Sequence, residues 1–161
     1  MKLAVVLFNL GGPDRPEAIE PFLFNLFNDP AIIGLPGFLR RVLARWMSRR
    51  RLDKARSIFD RIGGSSPLLE GTRAQAAALE ERLGGGARVF IAMRYWHPMC
   101  VETAAEVRAF DPDRVVLVPL YPQFSSTTTG SSLAAWDKAA AGIGAATSAV
   151  CCYPEHPGLI R

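Results

Sequence analysis

The chain has 161 residues, 49% of them hydrophobic and 21% charged, with a formal net charge of +4. That length allows one domain with a substantial core, and the composition is ordinary for a soluble globular protein. No apolar run is long enough to span a membrane, and the short apolar start at residues 3–8 leads into a Gly-Gly-Pro turn instead of a signal-peptide cleavage site.

Four apolar runs are predicted as strands, and the segments between them have helical periodicity. The strands are predicted at residues 2–9, 88–93, 115–120 and 147–153. Helices are predicted at residues 19–27, 37–50 with a continuation over 48–61 in which a break is left open, 70–83, 101–110, 131–141 and 157–161. Strands that alternate with helices predict one three-layer α/β/α domain with a parallel sheet and right-handed crossovers.

The helix at residues 37–50 has an apolar side and a basic side. The apolar side consists of Phe38, Leu39, Val42, Leu43, Trp46 and Met47, and the other carries Arg40, Arg41, Ala44 and Arg45. The apolar side is predicted to face the core, with the arginines in water. Two other interpretations stay open: a basic amphipathic helix on a membrane surface, or a mobile lip over an apolar pocket, from which Arg50 or Arg51 reaches an acidic ligand.

Basic charge is concentrated in the same region. Residues 40–56 hold eight of the nineteen basic residues and one acid, Asp53, so this segment has a net charge of +7 and the remainder −3. Such a patch predicts a localised anionic partner. A nucleic-acid binder usually spreads its basic charge along a groove, so no nucleic-acid partner is predicted.

The cysteines and histidines suggest neither a disulfide framework nor a metal site. Cys100, Cys151 and Cys152 include one adjacent pair that is poorly placed to bridge, and they form no C-x-x-C motif. A reduced cytosolic protein is therefore predicted. His97 has no partner histidine at metal-ligand spacing, so it is interpreted as a structural or solvated residue.

Three segments are predicted to meet where a parallel α/β sheet binds its ligand, beyond the carboxyl ends of the strands. They are residues 9–12, residues 94–95 and residues 121–132, which follow the first three strands. Neither the glycine pair at 11–12 nor the segment 63–66 is a nucleotide motif, because the first lacks the third glycine of a dinucleotide fingerprint and the second the lysine of a phosphate loop.

Each of these segments has two interpretations. Arg94 could hold a carboxylate, and Tyr95 and Trp96 could stack on an aromatic ring. Alternatively, Arg94 pairs with a local acid and the two aromatic residues fill the core. The seven hydroxyls among residues 125–132 could receive an anion at a helix start or cap that helix.

Four ordered segments resemble the ferrochelatase family, the enzymes that insert ferrous iron into a porphyrin to make haem. They are Asn-Leu-Gly-Gly-Pro at residues 9–13, Arg-Ile-Gly-Gly-Ser-Ser-Pro-Leu at 61–68, Arg-Tyr-Trp-His-Pro at 94–98, and the segment 121–132 with Tyr-Pro-Gln-Phe-Ser and Thr-Thr-Gly-Ser-Ser. The resemblance covers most of the chain. It implies the chelatase fold, in which two similar α/β halves enclose a porphyrin cleft.

The resemblance also assigns residues. Residues 1–161 would be the N-terminal half, and the catalytic histidine and glutamate would lie in the absent second half, beyond Arg161, so neither His97 nor His156 is that histidine. The substrate-binding residues implied in this chain are Leu10 against the macrocycle, Arg51 on a propionate with Arg50 nearby, Ser66 against the porphyrin, Arg94 and Tyr95 on the inner wall, and Leu35 in an apolar lip. Three positions depart from the family pattern, namely Phe59 in place of a tyrosine, Ser65 in place of a glycine and Trp96 in place of a smaller residue.

The resemblance implies porphyrin and ferrous iron as substrates, with no permanently bound cofactor and an iron–sulfur cluster left undetermined. It implies a cytoplasmic protein, with peripheral contact to the inner face of the membrane through residues 37–56 left open. This chain alone is expected to be inactive. Two other functions stay open: a non-catalytic tetrapyrrole-binding module, and a basic domain that docks on a membrane or a protein.

Overall fold

In the computed structural model, which describes residues 1–160, four parallel strands form one sheet between two helical layers. The strands are β1 Leu3–Asn9, β2 Ala87–Met93, β3 Arg114–Pro119 and β4 Ala146–Ala149, in the spatial order β2-β1-β3-β4. All three strand pairs are parallel. The predicted three-layer α/β/α architecture is therefore confirmed.

The helices agree with the sequence prediction except at their ends. They are α1 Ile19–Phe27, preceded by a 3₁₀ turn at Pro16–Ala18, α2 Gly37–Asp60, α3 Leu68–Leu83, α4 Cys100–Phe110, α5 Ser131–Ala139, preceded by a π-helical turn at Ser126–Gly130, and α6 Pro157–Ile160. The helix from residue 37 runs to Asp60 without a break. Arg161, the predicted last residue of α6, lies outside the described residues.

The fourth strand is shorter than predicted. It ends at Ala149 rather than at Tyr153. The backbone N–H of Tyr153 donates to the carbonyl of Pro122 at 2.9 Å, and its hydroxyl donates to the carbonyl of Pro119 at 2.9 Å. These bonds attach the chain that follows β4 to the end of β3 and to the loop after it.

Strand β1 is apolar throughout because both of its faces are covered. On one side Val6 and Phe8 pack under α4 and α5, where the ring of Phe8 meets the edge of Trp136 at 5.8 Å between ring centroids. On the other side Val5 and Leu7 pack against Ala76 of α3. Strands buried on both faces read as continuous apolar runs, which is the pattern that predicted this strand.

Helix α2 packs on α1 through a different side from the one predicted. Ala44 and Ser48 are buried, whereas Phe38, Val42 and Trp46 are 76%, 59% and 56% exposed. Small side chains let two helices approach closely, so the side of α2 that carries Ala44 and Ser48 meets α1. Of the predicted apolar side, Met47 packs against this core, whereas most of the other large residues are left in solvent. Within residues 1–160, no helix combines the length and apolar character needed to cross a membrane.

Candidate functional site

The three segments predicted to converge do meet at the carboxyl edge of the sheet. The backbone N–H groups of Arg94 and Tyr95 donate to the carbonyls of Asn9 and Leu10 at 2.9 and 3.0 Å. The N–H of Leu120 donates to the carbonyl of Phe8 at 2.8 Å. The main chain that leaves β1 therefore lies between the chains that leave β2 and β3.

The glycine turn after β1 packs closely against the end of β2 and against Ser66. Gly11 has a φ of +81°, and a Cβ there would lie 3.1 Å from the Cβ of Met93. A Cβ on Gly12 would overlap the side chain of Ser66. Ser66 is itself tied to the turn, since its N–H donates to the carbonyl of Pro13 at 2.8 Å. The two glycine-rich segments of the sequence thus form one unit.

An open cleft of about 560 Å³ lies beside this unit, between α1, the end of α2 and the start of α3. It is lined by Asn9, Leu10, Gly11, Gly12, Phe22, Phe59, Ser66, Pro67, Leu68, Gly71, Thr72 and Gln75. Leu10 and Ser66, two of the predicted site residues, are therefore brought together. Most of the lining is apolar, with a few polar groups at its edge.

Asn9 fixes the position of Leu10 in this cleft. Its side-chain oxygen accepts the N–H of Leu10 at 2.8 Å, and its amide nitrogen donates to the hydroxyl of Thr72 at 3.1 Å. The Thr72 hydroxyl in turn donates to the carbonyl of Leu68 at 2.7 Å. The end of β1 is thereby attached to the first turns of α3.

Arg94 is held in a buried polar network centred on Asp29, whose exposed fraction is 3%. A guanidinium nitrogen of Arg94 lies 2.8 Å from the Asp29 carboxylate, and its Nε donates to the hydroxyl of Ser131 at 2.6 Å. The hydroxyl of Tyr95 donates to the same carboxylate at 2.8 Å, and that of Ser131 donates to it as well. Asp29 therefore links the loop after β2 to the start of α5.

The network keeps Asp29 ionised. Burial alone would raise the pKa of its carboxyl, but hydrogen bonds from Ser131, the backbone of Ala31 and Tyr95, together with the charge of Arg94, outweigh burial and leave the pKa below its usual value. Burial and the neighbouring carboxylate raise the pKa of Tyr95 above its usual range. The network is therefore a charged pair braced by neutral hydroxyls.

The two aromatic residues beside Arg94 fill the core. Tyr95 is fully buried, and Trp96 is 7% exposed with its indole N–H donating to Asp14 at 2.8 Å. Of the two interpretations of these rings, the one in which they fill the core is therefore the one observed, and neither ring lines the cleft. For Arg94, the alternative of pairing with a local acid is the one observed. Arg94 lines a second hollow of about 450 Å³ on the α5 side, together with Ser131 and Lys138.

The basic residues of α2 lie outside the lining of the cleft. The guanidinium of Arg51 lies 5.3 Å from the centre of the Phe27 ring, and that of Arg50 lies 5.3 Å from the Trp46 ring. Helix α2 itself reaches the cleft through Phe59. Leu35 lies half-exposed in the connection between α1 and α2.

The hydroxyl-rich segment mostly serves the fold. Ser125 caps the π-helical turn by accepting the N–H of Thr127 at 3.2 Å, and Ser131 belongs to the Asp29 network. Thr129 and Ser132 are buried. Burial also raises the pKa of Tyr121, at the start of this segment, to about 12. Capping is thus observed for Ser125, and Ser131 serves the Asp29 network.

His97 lies on the surface, where its Nδ1 is 2.8 Å from the Glu102 carboxylate. Glu102 also accepts the N–H of Met99 at 2.6 Å and so caps the start of α4. His97 therefore has a local structural partner. Across residues 1–160, no group of three or more His, Cys, Asp and Glu side chains is arranged to hold a metal ion.

Asp29 is the important residue that sequence reasoning missed. The sequence prediction ended a helix at residue 27 and gave Asp29 no role in the site. The available signal was an acid placed between the apolar residues of α1 and the run Ala31-Ile32-Ile33. A buried acid in such a place requires a partner.

Fold and site together define a parallel α/β protein with an apolar ligand cleft beyond the carboxyl ends of its strands, the usual place for a ligand in this class. The profile of the family described as Ferrochelatase matches residues 2–161. The chain is 58% identical over 164 residues to the ferrochelatase of Phenylobacterium zucineum, covering 99% of this chain and 48% of that protein.

Two further relatives agree. The ferrochelatase of Caulobacter vibrioides is 59% identical over 165 residues, covering 99% of this chain and 47% of the relative. That of Pelagibacter ubique is 46% identical over 168 residues, covering all of this chain and 49% of the relative. The chain belongs to the ferrochelatase family, and it spans about half the length of these curated relatives.

Proposed function

We propose that this chain forms one wall of the porphyrin cleft of a ferrochelatase, and that the whole protein inserts Fe²⁺ into protoporphyrin IX. The observation that carries the proposal is the position of Leu10 and Ser66. Both are assigned to the porphyrin by the family resemblance, and both line the same apolar cleft at the carboxyl edge of the sheet. A flat apolar macrocycle suits such a lining.

The chain's own residues would act by binding and by excluding water. The cleft residues Leu10 and Phe59 would cover the ring, while the guanidinium groups of Arg50 and Arg51 would meet the propionates at its edge. Arg94 and Tyr95 would act from behind this surface, since their backbone N–H groups hold the carbonyls of Asn9 and Leu10.

The reaction exchanges two pyrrole protons for one ferrous ion. Both the porphyrin and Fe²⁺ are substrates, and we propose no permanently bound cofactor in this chain. The base that removes the protons is proposed to lie in a second α/β half, which would face the cleft from the opposite side. This chain would then be inactive alone.

Haem formation by the product of the native gene tests this proposal. Protoporphyrin IX and Fe²⁺ are supplied without oxygen, and haem is followed by its Soret absorbance. Leu10→Asp is expected to weaken porphyrin binding and slow haem formation, because it places a charge against the macrocycle. Leu83→Asp, at the exposed end of α3, is the matched control and should change neither. Binding without metal insertion would instead identify a non-catalytic tetrapyrrole-binding module.

The exposed side of α2 supports a second function, docking on an anionic membrane. Phe38, Val42 and Trp46 are exposed next to Arg45 and Arg49, and a shallow hollow runs between several of these side chains. Aromatic and aliphatic residues flanked by arginines are typical of helices that lie in a membrane interface. We propose that this side rests on the inner face of the cytoplasmic membrane, which would bring the protein to a poorly soluble substrate.

Liposome sedimentation tests the docking function. Vesicles with anionic lipid should sediment the wild-type protein, and Trp46→Gln should reduce the bound fraction because it removes an interfacial aromatic side chain. Replacing Arg41 and Arg45 together should reduce it further. Val101→Gln, an exposed apolar residue on α4, should behave as wild type. Equal sedimentation of all variants would exclude this surface.

A further inference from the structure

We propose that Asp29 is a positioning residue for the candidate porphyrin cleft, a proposal that rests on the function proposed above. Its carboxylate joins the connection between α1 and α2 to the loop after β2 and to the start of α5. Through these contacts it would fix the position of α2 relative to the carboxyl edge of the sheet. Helix α2 carries Phe59 and the arginines.

The two oxygens of the carboxylate face different parts of the molecule. Oδ1 accepts the N–H of Ala31 at 2.8 Å, within the connection itself. Oδ2 accepts from Arg94, Tyr95 and Ser131, which come from two other elements. The carbonyl of Asp29 also accepts the N–H of Ile33 at 2.9 Å. One residue therefore shapes its own turn and fastens that turn to the rest of the domain.

The same connection is fastened to the first turn of α2. The guanidinium of Arg40 donates to the carbonyl of Asn28 at 2.8 Å and to that of Leu35 at 2.7 Å. From the other side, the amide of Asn25 in α1 donates to the carbonyl of Tyr95 at 3.1 Å. The start of α2 is thus linked through this connection to Asp29, and from there to the wall behind Leu10.

Asp29 also determines whether the charge of Arg94 is available to an anionic ligand. The Arg94 side chain is 21% exposed and its charge is balanced by the adjacent carboxylate. While Asp29 is present, attraction of the porphyrin propionates is left to the arginines of α2. Without it, a guanidinium that is mostly buried would lose its counter-charge and become a competing anion site.

Steady-state kinetics of the native gene product with protoporphyrin IX and Fe²⁺ test the proposal. Asp29→Asn keeps the size of the side chain and removes its charge. It should raise the KM for protoporphyrin at least about tenfold, because α2 is no longer held in a fixed position relative to Leu10 and the end of β1. The kcat should stay within about threefold. Asp53→Asn, an exposed acid on α2, is the control and should match wild type. A purely structural role would lower the amount of folded enzyme and leave KM unchanged.

Hydrogen exchange without any ligand separates this proposal from the proposed function. In Asp29→Asn the amides of residues 31–33 and of the first turn of α2 should exchange at least about tenfold faster than in wild type, with β1 unaffected. Tyr95→Phe removes one hydrogen bond and no charge, so it should show a smaller effect in the same direction, even if the Asn variant does not fold. If wild type fails to bind protoporphyrin, the proposed function falls and the exchange result still decides the role of Asp29. Wild-type exchange in both variants, or an unchanged KM, would overturn the proposal.

Discussion

At the scale of single residues, the Asp29 carboxylate makes stability depend on acidity. Its pKa is lower in the folded chain than its ordinary value of 3.8. A group with a lowered pKa stabilises the fold above its ordinary pKa, and that contribution is lost as the pH falls through the folded value. Arg94, Tyr95 and Ser131 are the side chains that face it.

Replacing Asp29 by Asn should therefore lower the free energy of unfolding by about 3 kcal/mol near neutral pH, because a buried charge loses its partner. The difference between variant and wild type should shrink as the pH is lowered below 3.8. Urea denaturation across that range measures it. A difference that stays constant with pH would mean that the carboxylate is not ionised in the folded protein.

At the scale of elements, the sequence pattern predicts that helix α2 exists but does not predict which of its sides packs against the domain. Its existence follows from periodicity, but most of the apolar side of that periodic pattern does not face the core: Phe38, Val42 and Trp46 are exposed, and Met47 packs inward. The side that packs is chosen by what α1 can approach, and the small residues Ala44 and Ser48 allow the closest contact. A single helix carries no information about its neighbour's shape, so the face could not be read from residues 37–50 alone.

Matched enlargements on the two sides of α2 check this packing. Ala44→Leu should cost about 1–3 kcal/mol of unfolding free energy, because the site against α1 is already filled. Val42→Leu enlarges a side chain that is 59% exposed and should change stability by no more than about 0.5 kcal/mol. Urea denaturation of both variants provides the comparison. If Val42→Leu lowered the unfolding free energy more than Ala44→Leu, the side of α2 predicted from the sequence would be the one that packs.

The sequence predicts that the loops after the strands meet at one edge of the sheet. It does not predict that the space at this edge is divided into a cleft and a separate hollow. Parallel strands end at one edge, so apolar runs alone place Leu10 and Arg94 close together. The division arises from Asp29, which is separated from Tyr95 by 66 positions and from Ser131 by 102. Side-chain pairs at such distances leave no local pattern, and the sequence therefore predicted one slot where the structure has a cleft and a separate hollow.

At the scale of the whole molecule, charge is distributed unevenly between α2 and the rest. Residues 40–56 carry a net charge of +7 and the remainder −3. Exposed charges act over about 8 Å at physiological ionic strength and over less in higher salt. Their contribution to binding an anionic ligand should therefore be sensitive to salt.

Protoporphyrin binding by the native gene product should weaken as salt rises from low concentration to about 0.5 M, where the screening length is shorter. Fluorescence titration measures this dependence. The dimethyl ester of the same porphyrin lacks the two carboxylates, so its affinity should vary much less with salt. Equal salt dependence for the acid and the ester would show that the arginines of α2 do not meet the propionates.

The unbroken course of α2 has a mechanical consequence. From Gly37 to Asp60 the helix is a single rod about 36 Å long. Phe38 stands in solvent at one end, and Phe59 lines the cleft at the other. Because no break interrupts the helix, its outer end and the residue at the cleft belong to one continuous element, packed against α1 through Ala44 and Ser48. Anchoring of the outer end could thus control how wide the entrance stands.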